Sequence, residues 1–268
     1  MLRRTFVSGF AALSMLASAA ASAQAQGRIF ANHDEWTLSS TGSQNAGAAN
    51  VTTFTRNVAS WLTGGLSGSV LIASGNFGFP VGSIGADLSS GGYAFTTTLD
   101  NSVAGWATRG SYNAIFVDAS SAGAGTNAQL QSDLQSYVLG GGSVFLNFGT
   151  GIGGPVNEAA GFNTFLGYFG LQAAPVYNSI NGVGNTSSFA SQGPYGPALF
   201  SGVTGLFSVF GNTLSQGGPN SAGYGSQLFD NGLYAAAAPT NVVPEPSTWA
   251  LMIAGLAGLG IAARRRNA

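Results

Sequence analysis

The sequence predicts an α/β fold with a mainly parallel sheet, and three observations carry that reading. Short, continuously apolar runs at 69–73 (SVLIA), 114–117 (AIFV) and 144–148 (VFLNF) have the length and composition of strands buried on both faces. Between them lie segments of helical period. Residues 52–62 place Phe54, Val58, Trp61 and Leu62 on one face, and residues 126–139 do the same with Leu130, Leu134, Tyr137 and Val138. Each helix is then closed by glycine, Gly64-Gly65 in the first case and Gly140-Gly141-Gly142 in the second.

Taken in order, residues 28–31 form a first strand, followed by the most polar cluster of the chain, Asn32-His33-Asp34-Glu35-Trp36. Residues 39–50, rich in Ser, Gly and Asn, read as a loop. A helix at 81–90 ends at Gly91-Gly92, and 93–98 is a strand rich in β-formers. The strand at 114–117 ends in Asp118. The helix at 126–139 opens on a capping box of Thr126 and Gln129. A glycine loop fills 149–154, and 157–169 is helical. Residues 172–218 read as irregular, with a last strand at 232–236. This alternation predicts βαβ units with right-handed crossovers and helices on both sheet faces. No internal repeat is present, which counts against a solenoid.

Composition narrows the partners. Only 6% of the 268 residues are charged, against roughly 25% in ordinary soluble domains. There is no lysine and no cysteine. That excludes disulfides, thiolate metal sites and a cysteine nucleophile. All eight basic residues are arginines, and five lie near the ends. Between the ends, Arg28, Arg56 and Arg109 face nine acids, a balance of −6 and the wrong sign for a phosphate backbone, so nucleic acid is not an expected partner.

Both ends read as addresses. Arg3-Arg4, an apolar run at 6–21 and the Ala23-Gln24-Ala25 cleavage pattern make residues 1–25 a signal peptide for the general secretory route, cut after Ala25 with Ala23 at −3. An exported domain follows at 26–238, with a short linker at 239–242. Residues 243–268 then hold Pro244-Glu245-Pro246, an apolar segment at 249–263 and the triplet Arg264-Arg265-Arg266. From Pro246 to Ala263 no residue is charged, which reaches the length of a membrane-span candidate, and the three arginines act as a cytoplasmic stop. The tail closely resembles the PEP-CTERM sorting signal. The resemblance implies that an exosortase, a membrane protease-transpeptidase, cuts near Pro244, Glu245 and Pro246 and passes the protein to the cell surface or extracellular matrix. The apolar segment has only 15 residues against about 20 for a stable span, which suits a transient stop. The alternative is an unprocessed tail-anchored membrane protein.

The domain itself carries a looser likeness. Residues 112–117 (YNAIFV), 137–146 (YVLGGGSVFL) and 196–203 (GPALFSGV) look like class I glutamine-amidotransferase-like domains. Over roughly 28–238 this implies a flavodoxin-like three-layer sandwich. The enzymatic members place a cysteine in the turn where this chain has Gly149-Thr150-Gly151.

Candidate chemistry is sparse. The 149–154 loop satisfies G-x-G-x-x-G, but Pro155 interrupts the turn into the helix and no acid follows about 20 residues on, so it reads as a structural turn with no cofactor expected. His33, Asp34 and Glu35 are consecutive, and neighbours on extended chain point in alternate directions. They read as a polar loop at the sheet edge, with no metal site expected. No serine has the G-x-S-x-G context of a nucleophile elbow. Trp36, Tyr93, Trp106, Tyr177 and Tyr224 are available to stack on sugars. The expected function is an exported, non-enzymatic surface component associated with polysaccharide. The alternative is a glycan-acting hydrolase or transferase using His33 and Asp118, the latter because crevices form at the carboxyl ends of parallel strands.

Overall fold

Strands that are apolar on both faces must be covered on both faces, and this requirement shapes residues Gln26–Thr240, which form one unit. The computed structural model describes residues 26–65, 67–74, 76, 81–98, 109–122, 128–240 and 256. The expected signal peptide, Thr126, Trp106 and all of the apolar segment at 249–263 but Leu256 lie outside these residues. Among the described residues no helix is long and apolar enough to cross a membrane.

The elements are β1 (Ile29–Asn32), α1 (Ser40–Ala46), α2 (Ala48–Thr63), β2 (Ser69–Ala73), α3 (Val81–Ser90), β3 (Ala94–Thr98) and β4 (Ala114–Asp118). After these come α4 (Ala128–Leu139), β5 (Ser143–Asn147), α5 (Gly154–Tyr168), β6 (Leu171–Tyr177) and β7 (Asn181–Asn185). The chain closes with α6 (Gly196–Phe200), β8 (Gly205–Val209), β9 (Asn212–Gln216), β10 (Tyr224–Phe229) and β11 (Tyr234–Pro239). A seven-stranded sheet runs in the order β10-β11-β1-β5-β4-β2-β3. Its five-strand block from β1 to β3 is parallel, while β11 and β10 add antiparallel pairs on the other side. The result is α/β with a mainly parallel central sheet, consistent with a flavodoxin-like arrangement.

Alternate residues of each strand feed two cores. Phe30, Phe116 and Phe145 face α2, α3 and α6 together with Tyr234. Ala31, Ile115, Val117 and Leu146 face α4 and α5. On the first side the rings of Phe30, Phe145 and Phe116 stack across three adjacent strands at 5.8 and 4.8 Å, each such pair adding about 0.5–1.5 kcal/mol beyond burial. Steps from β2 to β3 and from β4 to β5 run in opposite directions across the sheet. Right-handed crossovers therefore put α3 and α4 on opposite faces, and β2 and β4 flank a topological switch point.

Two sequence expectations are corrected. The supposed loop at 39–50 is mostly helix, α1 and the start of α2. Segment α1 (STGSQNA) has no apolar stripe to announce it. Its start is fixed by Ser39, whose Oγ accepts the Gly42 N–H at 3.0 Å. The irregular region at 172–218 contains β6 paired with β9 and β7 paired with β8, both antiparallel. Strand β7 (NGVGN) is two-fifths glycine and lacks the alternation that identifies strands. Strand β11 also runs on to Pro239, the first residue assigned to the linker.

Candidate functional site

The carboxyl end of the parallel strands is where polar side chains collect. Register puts Asn32 of β1 opposite Asn147 of β5, and Asn147 opposite Asp118 of β4, a row of three polar residues at the strand tips. The amides of Asn32 and Asn147 meet at 2.6 Å. Beyond the row, the chain leaving β1 carries His33, Asp34 and Glu35 downward rather than outward. Because β1 sits inside the sheet, between β11 and β5, these residues are not an edge loop; all are buried.

The three consecutive side chains go three ways. Asp34 caps the turn at Glu35–Leu38, with Oδ1 accepting the Trp36 N–H at 3.2 Å and Oδ2 accepting that of Val209. Glu35 accepts from the Asn76 amide. His33 approaches Asn178 through Nδ1 at 3.2 Å and lies edge-on to Tyr234, while its Nε2 is buried without a hydrogen-bond partner. Among the described residues, no group of three His, Cys, Asp or Glu could hold a metal ion.

Asp118 is held at the tip of β4 by Ser74, from the neighbouring strand end, and by Ser120, whose N–H donates at 3.0 Å. His33, by contrast, is held by Asn178 and Tyr234, and it is Glu35 that feels the charge of Asp118. The fourth acid, Glu158, is absent from the sequence expectations. It lies in the first turns of α5 and accepts the N–H groups of Gly149 and Thr150 at 2.8 and 3.0 Å. The Thr150 hydroxyl at 2.7 Å and the Tyr177 hydroxyl at 2.8 Å complete its shell. The amides of the glycine loop, positioned as they would be for a phosphate, are thus turned onto the protein's own carboxylate. Left-handed backbone at Gly149, Gly151 and Gly153 makes that turn possible.

Electrostatics follow from burial with no cation among the described residues. Burial raises Asp34 to about 7, with Glu158 adding to the rise and the Val209 and Trp36 N–H groups opposing it. Burial raises Glu35 to about 8, helped by Asp34, Asp118 and Glu158 and opposed by Asn76. Asp118 and Glu158 are also raised by burial, against their hydrogen bonds. Burial lowers His33 to about 3, leaving a neutral imidazole. By the same burial Asp34 and Glu35 keep their protons well above the ordinary carboxylate range. The four acids, however, are between 0 and 3% exposed, out of reach of a substrate in this conformation.

No curated protein and no solved structure matches the chain. Residues 242–266 match the PEP-CTERM protein-sorting motif. That motif supports an exported protein sorted by an exosortase, a membrane protein, with transient anchoring at the C-terminus before cell-surface sorting.

Proposed function

We propose that the α/β domain is a non-enzymatic component of the cell surface or extracellular matrix, associated with polysaccharide, and that the sorting signal is removed on delivery. The observation carrying this reading is the closure of the crevice where an α/β enzyme would work. Among the described residues, the acids Asp34, Glu35, Asp118 and Glu158 there are buried and bound to the protein's own donors, with Glu158 filling the glycine loop. The glycan-acting alternative draws on the raised acids Asp34 and Glu35, since perturbed carboxyls gather at active sites.

The two readings separate on turnover. The full chain incubated with surface polysaccharide is expected to release no new reducing ends. Release that disappears in Glu35→Gln or Asp118→Asn would replace the proposal with the enzymatic reading. Processing is checked by mass spectrometry of the surface-exposed protein. A C-terminus near Pro244–Pro246 is expected, and a chain still ending beyond Arg264, Arg265 and Arg266 would favour an unprocessed tail anchor.

A further inference from the structure

A second concavity lies at the opposite, amino end of the parallel strands. It is a cleft of about 390 Å³, within the usual size for small-molecule sites. Arg28, just before β1, and Arg56, on α2, both line it, together with Ser60, Trp61 and Tyr93. The domain has three arginines between its terminal signals and no lysine, so two of its three cations share one cleft.

Among the described residues, neither guanidinium is paired with an acid. Arg28 lies 5.4 Å from the Trp61 ring centre and donates to the Trp61 carbonyl. Burial lowers its pKa, and Tyr195 is the group acting against that. Arg56 donates to the Ser90 hydroxyl at 2.5 Å and to the backbone carbonyl of Asp87 at 3.5 Å. The Asp87 carboxylate accepts the Thr52 hydroxyl at 2.6 Å. Both arginines thus spend donors on neutral oxygens and keep others for a guest.

The remaining lining is mixed in polarity and open. The Ser60 side chain lines the cleft, and Gly64 and Gly65 have nothing within 4 Å of the position a side chain would take. At Gly91 an added Cβ would press on the Arg56 stem and the Tyr93 ring, at 3.0 and 3.1 Å, so glycine there keeps the rim clear. Trp61 and Tyr93 are almost fully covered and serve as an apolar wall rather than free stacking platforms. Cationic forks, a hydroxyl and an apolar wall together match a ring with a carboxylate on one side and C–H groups on the other. The volume is far more than an inorganic anion needs.

We propose that this cleft binds a carboxylated sugar unit, a uronate, of an anionic polysaccharide. This rests on the reading that the domain is polysaccharide-associated and gives that association a site. Because the domain as a whole is acidic, an anionic polymer gains nothing from its general field. Recognition must come from this cleft and fall as salt rises.

The test is isothermal titration of the full chain, in mild detergent, with a galacturonic acid trisaccharide, its neutral galactose counterpart and sodium acetate. The wild-type chain should bind the uronate trimer in a salt-dependent manner and ignore the other two. Arg56→Gln should weaken binding about tenfold or more through loss of a charge-assisted fork. Gly65→Gln, which places a side chain in open space, should block the cleft while leaving thermal unfolding unchanged. Absence of uronate binding, equal binding of the neutral sugar or of acetate, or full affinity in a folded Arg56→Gln chain would each overturn the proposal. Retention on the whole polysaccharide despite any of those results would leave the broader polysaccharide reading standing without this site.

Discussion

The two ends of the central sheet solve the problem of charge in opposite ways. At the carboxyl end Asp34, Glu35, Asp118 and Glu158 are buried with no cation among the described residues, and each is given hydrogen-bond donors from its own chain. At the amino end Arg28 and Arg56 have no acid partner and are tied only to neutral oxygens and a ring. The carboxyl end is the place where α/β folds ordinarily bind ligands. Here its four described acids are bound by the protein's own donors, with His33 Nε2 left as a buried unpartnered atom, and the arginines without an acid partner lie at the other end. A fold therefore names the likeliest crevice only until one asks which polar groups are already used.

The largest effect that would break this contrast is at Glu158. Glu158→Ala leaves the buried N–H and hydroxyl of Thr150 and the part-buried Tyr177 hydroxyl without their acceptor, and the Gly149 N–H with only the longer bond to Asn212 at 3.4 Å. Each buried orphan costs about 1–3 kcal/mol, so a loss of about 3–5 kcal/mol is expected in urea denaturation. Glu158→Gln keeps one acceptor oxygen and should lose much less. A Glu158→Ala chain as stable as wild type would mean that the carboxyl end is not held shut by this residue.

The next effect is on the pH dependence of stability. Asp34 and Glu35 hold protons in the fold up to about 7 and 8, whereas in the unfolded chain they release them near 4. Their contribution is complete below that lower value and is lost as pH rises to 7–8, by at most about 1.4 kcal/mol per pH unit for each group. His33 runs the other way. Folded at about 3 and near 6.5 when unfolded, it supports the fold above 6.5 and is lost as pH falls toward 3. Between about 4.5 and 6.5 the two trends partly cancel. The steepest loss should fall between about 6 and 7, where the His33 compensation fades while both acids still hold protons. Denaturation midpoints across that range check this, and Glu35→Gln should flatten the slope. A wild-type profile level from pH 5 to 8 would show that the acids are less isolated from water than their burial implies.

Much of the scaffold was legible because its determinants are local. The run SVLIA can be read without knowing its partners, and it forms β2 over the residues expected. Asp118 was also within reach, since a polar residue closing an apolar strand falls at the ligand-side edge. What escaped depends on distant neighbours. Glu158 looks like any acid near a helix start until Thr150 and Tyr177, 8 and 19 residues away, fold around it. The cluster His33-Asp34-Glu35 reads as a polar loop at the sheet edge because the sequence does not say that β11 returns to pair with β1. The Arg28–Arg56 cleft joins residues from the chain start and the middle of α2, with no motif linking them.

The smallest effect is the most discriminating for the amino end. Arg56→Gln removes a charge that no acid in the described fold compensates, together with two bonds to Ser90 and Asp87 at a half-exposed position. Surface changes of that kind usually stay within about 0.5 kcal/mol, so its unfolding curve should almost overlay wild type. Arg28→Gln should cost somewhat more, about 0.5–1 kcal/mol from the lost ring contact and further from the lost bond to the Trp61 carbonyl. That ordering carries the meaning. A charge kept at no benefit to stability is one the fold does not need, in contrast to Glu158, whose removal undoes a buried network. If Arg56→Gln proved as damaging as Glu158→Ala, the amino-end arginines would be structural after all, and the difference between the two ends of the sheet would be one of charge sign alone.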